Sequence, residues 1–270
     1  MFTKLLAYEI RSRFRADARS FGAFIVTIAV ASGIVAAGLP GISGFTAVFS
    51  YILCALTPVA CAIAAMADYW KTLYGQRGYF TMSLPVSGAV IFWAKITRMV
   101  IECLLALALA VGGIIAVASA AAWSDGISLA EYTAGPRSLA AGQPTSTVVI
   151  MIVAQVLVSL SWLVQGSAVM SIGAQGRFNH LGFGAPIIGF VLVYIVNQVL
   201  STVGTFFVPL SVTTDGHFST EIMWTSYQAT LGTDGHPNVI GIGTYVLVPL
   251  FALIMGLWAS RSIEKHTSLR

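Results

Sequence analysis

The sequence predicts an all-α integral membrane protein with six transmembrane helices, and three observations predict it. Of the 270 residues, 57% are hydrophobic and only 9% are charged, against about a quarter charged in a soluble domain. So few charges cannot cover a water-facing surface, which makes the bilayer the solvent for most of the chain. Apolar runs of about 20 residues, long enough to cross a bilayer, recur at about 21–39, 45–67, 99–122, 147–170, 182–207 and 239–260. Finally, the basic residues fall almost entirely on one side of those runs.

That asymmetry sets the orientation. With the N-terminus inside, Lys4, Arg11, Arg13, Arg15 and Arg19 are cytoplasmic. So are Lys71, Arg77, Lys95 and Arg98 in the second loop, Arg177 in the fourth, and Arg261, Lys265 and Arg270 at the end. Only Arg137 falls outside, where the loops hold Asp125, Glu131, Asp215, Glu221 and Asp234. An odd number of spans would put one terminal basic cluster on the wrong side. Both termini are therefore expected in the cytoplasm.

Residues 1–19 read as an amphipathic interfacial helix. Phe2, Leu6, Ile10 and Phe14 recur every four positions as one apolar stripe, with Arg11 and Arg13 among the basic residues around it. Such a helix rests in the membrane interface, apolar face toward lipid and basic face toward anionic headgroups. A plain basic tail that sets topology is the other reading. The segment is charged throughout and the run after it is long enough to span, so a cleavable signal peptide is not expected.

Residues 20–261 make the six-helix domain and 262–270 a cytoplasmic tail. Pro40 closes the first span, Pro58 bends the second and Asp68 ends it. Ala29, Gly33 and Ala37, and again Gly112 and Ala116, form small-xxx-small ladders that permit close helix approach. Cys54, Cys61 and Cys103 sit in apolar segments without metal-ligand or Cys-x-x-Cys spacing and read as small buried hydrophobes.

The most informative stretch runs from Asp68 to Arg98. Tyr69, Trp70, Tyr74, Tyr79, Phe80 and Leu84 are too apolar for a solvated loop. Interfacial anchoring explains Tyr69 and Trp70, but it explains Gly78 to Ser87 poorly. Pro85 cannot continue a helix inward, and Ser87 is placed to cap one starting at Gly88. The loop thus reads as a helix extension, a short exposed element, a turn and a re-entering helix.

This stretch, "GYFTMSLPVS" with Lys95 about eight residues later, resembles the first cytoplasmic loop of ABC-2-type permeases, the six-helix membrane subunits of bacterial ABC transporters. The basic start "KLLAYEIRSRFR" is similar to their N-terminal interfacial helix. The resemblance covers the whole topology, but its sequence-specific part is these two stretches. It implies a coupling loop over 69–95 that docks on a separate ATPase subunit, with Tyr74, Arg77, Tyr79, Phe80, Leu84, Pro85 and Ser87 in it. It also implies a second permease chain, identical or different, and a place in the bacterial cell membrane. ATP and magnesium would be held by the partner ATPase, because this sequence has no Gly-x-x-x-x-Gly-Lys-Ser/Thr loop. The chain itself is expected to be a non-catalytic subunit without a cofactor. Lipid is expected around it, and nucleic acid is not an expected partner.

Polar residues inside the spans are the remaining candidates. Arg98 and Glu102 stand four apart on one helix face and read as an interfacial ion pair, with a proton or substrate role as the alternative. Gln155 and Gln165 in the fourth span, and Asn197 and Gln198 in the fifth, fit either interhelical hydrogen bonds or the lining of a pathway. In the last outer loop, Asp-Gly-His occurs twice, as Asp215-Gly216-His217 and Asp234-Gly235-His236. Asp-Gly is a common turn pair, and the turn reading stands ahead of a transition-metal clamp built from Asp215, His217, Asp234 and His236. Phe218, Ile222, Met223, Trp224 and Tyr227 suggest a short helix at the outer interface.

The functional expectation is the permease subunit of an ATP-driven exporter of a peptide, antibiotic, lipid or other amphipathic molecule. A stand-alone secondary transporter or channel is the main rival. Against it, carboxylates, cationic side chains and His are missing from the middle of the spans, so no proton relay is visible. Gly41-Ile42-Ser43-Gly44 superficially resembles a rhomboid protease motif, yet no His lies in a later span to serve as its base.

Overall fold

The computed structural model describes residues 1–75, 78–83, 85–182, 184–232 and 235–265, with the side chains of Phe80, Met82, Leu139, Ala140, Arg177, Asn179, His180 and Lys265 outside that description. In chain order it forms α1 (Phe2–Ala36), α2 (Ile42–Leu73), α3 (Gly78–Met82), α4 (Gly88–Ser124), α5 (Leu129–Tyr132), α6 (Ala134–Ala140) and α7 (Thr145–Gly173). A 3-10 turn over Gly176–Leu181 leads to α8 (Gly184–Phe206). Then come β1 (Ser211–Thr213), β2 (Phe218–Ser219), α9 (Met223–Thr230), β3 (Val239–Gly241) and α10 (Thr244–Lys265). Among the described residues, six helices are long and apolar enough to cross a bilayer: α1, α2, α4, α7, α8 and α10. The six expected spans fall one to each.

Two boundaries differ from expectation. The interfacial segment and the first span are one unbroken helix of 35 residues, roughly 50 Å long at 1.5 Å per residue. No helix breaker separates them, because Ala16 to Phe21 are all compatible with helix and Gly22 alone does not stop it. The helix ends where Gly38 turns with φ +63°. The sixth span begins at Thr244 rather than at 239, because Val239–Gly241 is drawn into a strand.

The chain divides into two compact units, Met1–Tyr69 with Trp93–Leu139, and Trp70–Phe92 with Ala140–Arg270. In the first unit, Ile28 and Val35 of α1, Cys54 of α2 and Ala110, Val117 and Ala121 of α4 form one buried apolar cluster. Gly113 is the close-approach point, since a Cβ there would lie 2.8 Å from Cys54 Sγ. Among the described residues, the predicted small-residue ladders make no such approach: Gly33 and Gly112 have open space where a side chain would stand.

In the second unit, α7, α8 and α10 pack together, and a three-stranded antiparallel sheet in the order β2-β1-β3 caps them. Val212 of β1 pairs with Phe218 of β2 and with Ile240 of β3. The sheet can sit close because Gly204, Gly241 and Gly243 bring backbone against backbone; a Cβ on Gly204 would lie 2.5 Å from Thr244 N. The expected outer helix is present but shorter and later. It is α9, whose Trp224 and Tyr227 stack on each other and pack edge-on against Phe206, while Phe218 belongs to β2 instead.

Candidate functional site

The first unit holds a buried charge cluster. Of the chain's 14 basic and 10 acidic residues, three and four respectively meet here: Arg13, Lys95 and Arg98 with Glu9, Asp17, Asp68 and Glu102. Three helices supply them. On α1, Glu9, Arg13 and Asp17 follow the four-residue spacing that puts side chains on one face. Asp68 comes from the last turns of α2. Lys95, Arg98 and Glu102 line one face of α4.

The geometry makes Arg98 the hub. Its guanidinium donates to Glu102 Oε1 at 2.5 Å and to Asp68 Oδ2 at 3.2 Å, and its Nε lies 3.8 Å from Glu9 Oε2. Lys95 Nζ donates to Glu9 Oε1 at 2.8 Å. At the outer rim, Arg13 reaches Asp68 Oδ1 at 3.0 Å and Asp17 at 3.6 Å. Arg98 and Lys95 are each only 1% exposed. A fork-shaped guanidinium can face several carboxylates at once, which an ammonium does less well. The sequence expectation of an Arg98–Glu102 pair is met, but it is one edge of a larger network. Glu9, Lys95 and Asp68 are the members it lacks.

This packing turns the N-terminal helix into a two-faced element. Its charged stripe faces inward to the cluster. The predicted apolar stripe stays outside: Leu6 is partly buried, Ile10 and Phe14 are exposed, and so is Arg11. An apolar stripe facing outward next to a membrane span is what a lipid contact requires.

The loop candidates lie in the second unit. Gly78–Met82 forms the short helix α3, and Thr81 Oγ1 donates to Thr72 O at 3.0 Å, folding it back on the end of α2. Trp70 and Tyr74 pack with ring centroids 5.2 Å apart. Ser87 caps α4 as expected, accepting a hydrogen bond from Val90 N at 3.4 Å. Gly88 sits so tightly against α10 that a Cβ would lie 2.8 Å from Glu264 N. Tyr79 is 61% exposed, and Pro85 is exposed. Arg77, Leu84 and the Phe80 side chain lie outside the described residues.

The candidate pathway amides divide into two kinds. Gln165 and Asn197 are buried and paired with each other, Asn197 Nδ2 donating to Gln165 Oε1 at 2.6 Å. Gln165 Nε2 also donates to Val248 O at 3.3 Å, one residue before Pro249 of α10. This is an interhelical clamp joining α7, α8 and α10. Gln155 and Gln198 are exposed; Gln155 accepts a hydrogen bond from Tyr245 Oη at 3.1 Å.

Between α8 and α10, Asp215-Gly216-His217 forms the turn between β1 and β2. Gly216 has φ +80°, and its N–H donates to Thr213 O at 2.9 Å. The turn is tied to α7 through Thr147 Oγ1, which donates to Gly216 O at 2.7 Å. Asp234 lies outside the described residues, and His236 is exposed in the segment before β3. Among the described residues, no group of three or more His, Cys, Asp and Glu side chains could hold a metal ion.

No protein-family profile, curated protein or solved structure matches the chain.

Proposed function

We propose that this multi-pass helical membrane protein is the permease subunit of an ATP-driven exporter, coupled to a separate ATPase through the segment between α2 and α4. The observation that carries the reading is Tyr79. It is a large aromatic side chain, mostly exposed, on a five-residue helix held by Thr81 to α2 and followed by the Ser87 cap of α4. The lopsided Lys/Arg distribution favours the cytoplasmic side for this helix. An aromatic ring kept there on a fixed scaffold fits a protein partner, because a few such anchors dominate protein contacts. The likeness of Gly78–Ser87 to the coupling loop of ABC-2-type permeases supports the same partner.

The charge cluster supplies the route inward. Asp68 lies five residues before α2 ends at Leu73, and Lys95 and Arg98 lie seven and ten residues after α4 begins at Gly88. Those three residues are joined through Glu9 and Arg98 to α1. A push on the loop stems therefore reaches three membrane helices through charge-assisted contacts, which resist stretching more than apolar packing does. The two exposed amides, Gln155 and Gln198, suit a face that meets a second permease chain or the transported molecule.

The test is isolation of the chain from its native membrane in mild detergent, followed by reconstitution. A co-isolated chain bearing a phosphate-loop ATPase, and transport that stops without ATP, support the reading. Transport by this chain alone, driven by an ion gradient, favours a secondary transporter instead.

A further inference from the structure

A groove of about 430 Å³ lies between α7, α8 and α10 in the second unit. Its volume falls in the range of small-molecule and lipid sites, roughly 300–1,000 Å³. Two glycines make its back wall. A Cβ on Gly189 would lie 2.6 Å from Val169 Cγ1, and one on Gly173 would lie 2.9 Å from Pro186 Cδ. Both helices thus approach closely at the base and leave a slot in front. Met255 and Trp258 of α10 form the facing wall. Leu192 and Trp258 are about half exposed, at 57% and 50%, so the slot opens sideways onto the surface that faces lipid.

One exposed charge follows the lining residues along α10. Arg261 is exposed and follows Trp258 by three residues, one turn along α10. Phe178 and Leu181 of the 3-10 turn also line the slot. Lys265 follows in the last turn of α10, and Glu264 is the acidic residue nearby. A basic residue one turn beyond the lining of a pocket between membrane helices is the chemistry that recognises an anionic lipid headgroup. The tryptophan at the mouth fits the level of the membrane interface.

We infer that this groove is a binding site for one anionic phospholipid, with an acyl chain between α7, α8 and α10 and the phosphate at Arg261. The inference does not depend on the transport reading, only on the membrane setting. A zwitterionic lipid would find the apolar slot but no reason to prefer it. An apolar segment of another protein would fill the slot and leave no lipid preference.

The experiment uses the intact protein in phosphatidylcholine bilayers containing a minority of phosphatidylglycerol brominated on its acyl chains. Bromine quenches nearby indole fluorescence, and the Trp258 contribution is the difference between wild type and Trp258→Phe. Quenching of Trp258 should exceed that of brominated phosphatidylcholine at the same mole fraction by about fivefold, the enrichment expected of one surface cation. Arg261→Gln should remove the excess, and Arg261→Lys should retain most of it. Ile188→Phe, which adds bulk at a half-exposed part of the lining, should lower the excess while detergent melting stays at the wild-type temperature. Equal quenching by the two lipids in the wild type would overturn the assignment, and so would an excess untouched by Arg261→Gln.

Discussion

Lys95 on α4 donates to Glu9 Oε1 on α1 at 2.8 Å, joining positions 86 apart in sequence, and Arg98 Nε lies 3.8 Å from the other oxygen of the same carboxylate. One buried carboxylate thus faces two buried cations. Removing it leaves both with one partner fewer in a site of low dielectric. Glu9→Ala should therefore destabilise the protein in detergent by about 3 kcal/mol, the lower end of the cost of breaking a buried pair. Thermal unfolding of the purified chain reads it. The exchanged pair, Glu9→Lys with Lys95→Glu, should recover part of the loss. A Glu9→Ala protein that melts with wild type would show that the cluster ties nothing together.

Arg13 offers the contrast within the same network. Its side chain is 26% exposed, so water screens the pair with Asp68. Arg13→Ala should cost roughly 0–1 kcal/mol, clearly less than Glu9→Ala in the same melting assay. Equal losses would mean that the rim and the buried centre are one energetic unit.

Gln165 and Asn197 are argued from reciprocity. Each amide satisfies the other, and Gln165 also binds a backbone carbonyl. Gln165→Leu leaves Asn197 with its bond to Val193 O but takes the partner from its Oδ1, at a cost of about 1–2 kcal/mol. Replacing both with Leu removes the unsatisfied Asn197 oxygen and should cost less than the single change. If transport fails in the double variant while melting is unchanged, the pair belongs to a pathway rather than a clamp.

What could be read from one dimension follows from what each interaction needs. The six spans depend on run length and composition, so all six were visible, and Arg98–Glu102 was visible because four residues on a helix is a local spacing. Glu9 was hidden for the opposite reason. Its partners are far along the chain, and its stripe with Arg13 and Asp17 lay beside a stronger apolar stripe at Phe2, Leu6, Ile10 and Phe14. The spacing of those three charges was the available clue. The three-stranded sheet is not legible because strands of two or three residues carry no period to detect, and Val239–Gly241 continues in sequence toward an apolar helix. In a chain with 26 glycines, spacing alone could not separate the open Gly33 and Gly112 from Gly113, which touches Cys54.

Orientation can be read directly. A cysteine introduced beside Arg137, in α6, should react with an impermeant thiol reagent on intact cells. One introduced beside Arg77 should react only after lysis. The reverse pattern would place the α2–α4 segment outside and remove the coupling argument.

Coupling itself is tested by one measurement on three variants, Tyr79→Ala, Phe80→Ala and Leu84→Ala, in parallel with Arg77→Ala. The quantity is the amount of phosphate-loop ATPase retained per permease chain after mild-detergent isolation, with the melting temperature of the isolated chain measured alongside. Burying one large apolar side chain is worth roughly 1.5–3 kcal/mol, so each of the three should cut retention about tenfold or more at limiting partner concentration. Melting should not change, and Arg77→Ala should have a smaller effect. Full retention in all three variants would contradict the docking account, and so would a wild-type chain that retains no ATPase and transports by itself.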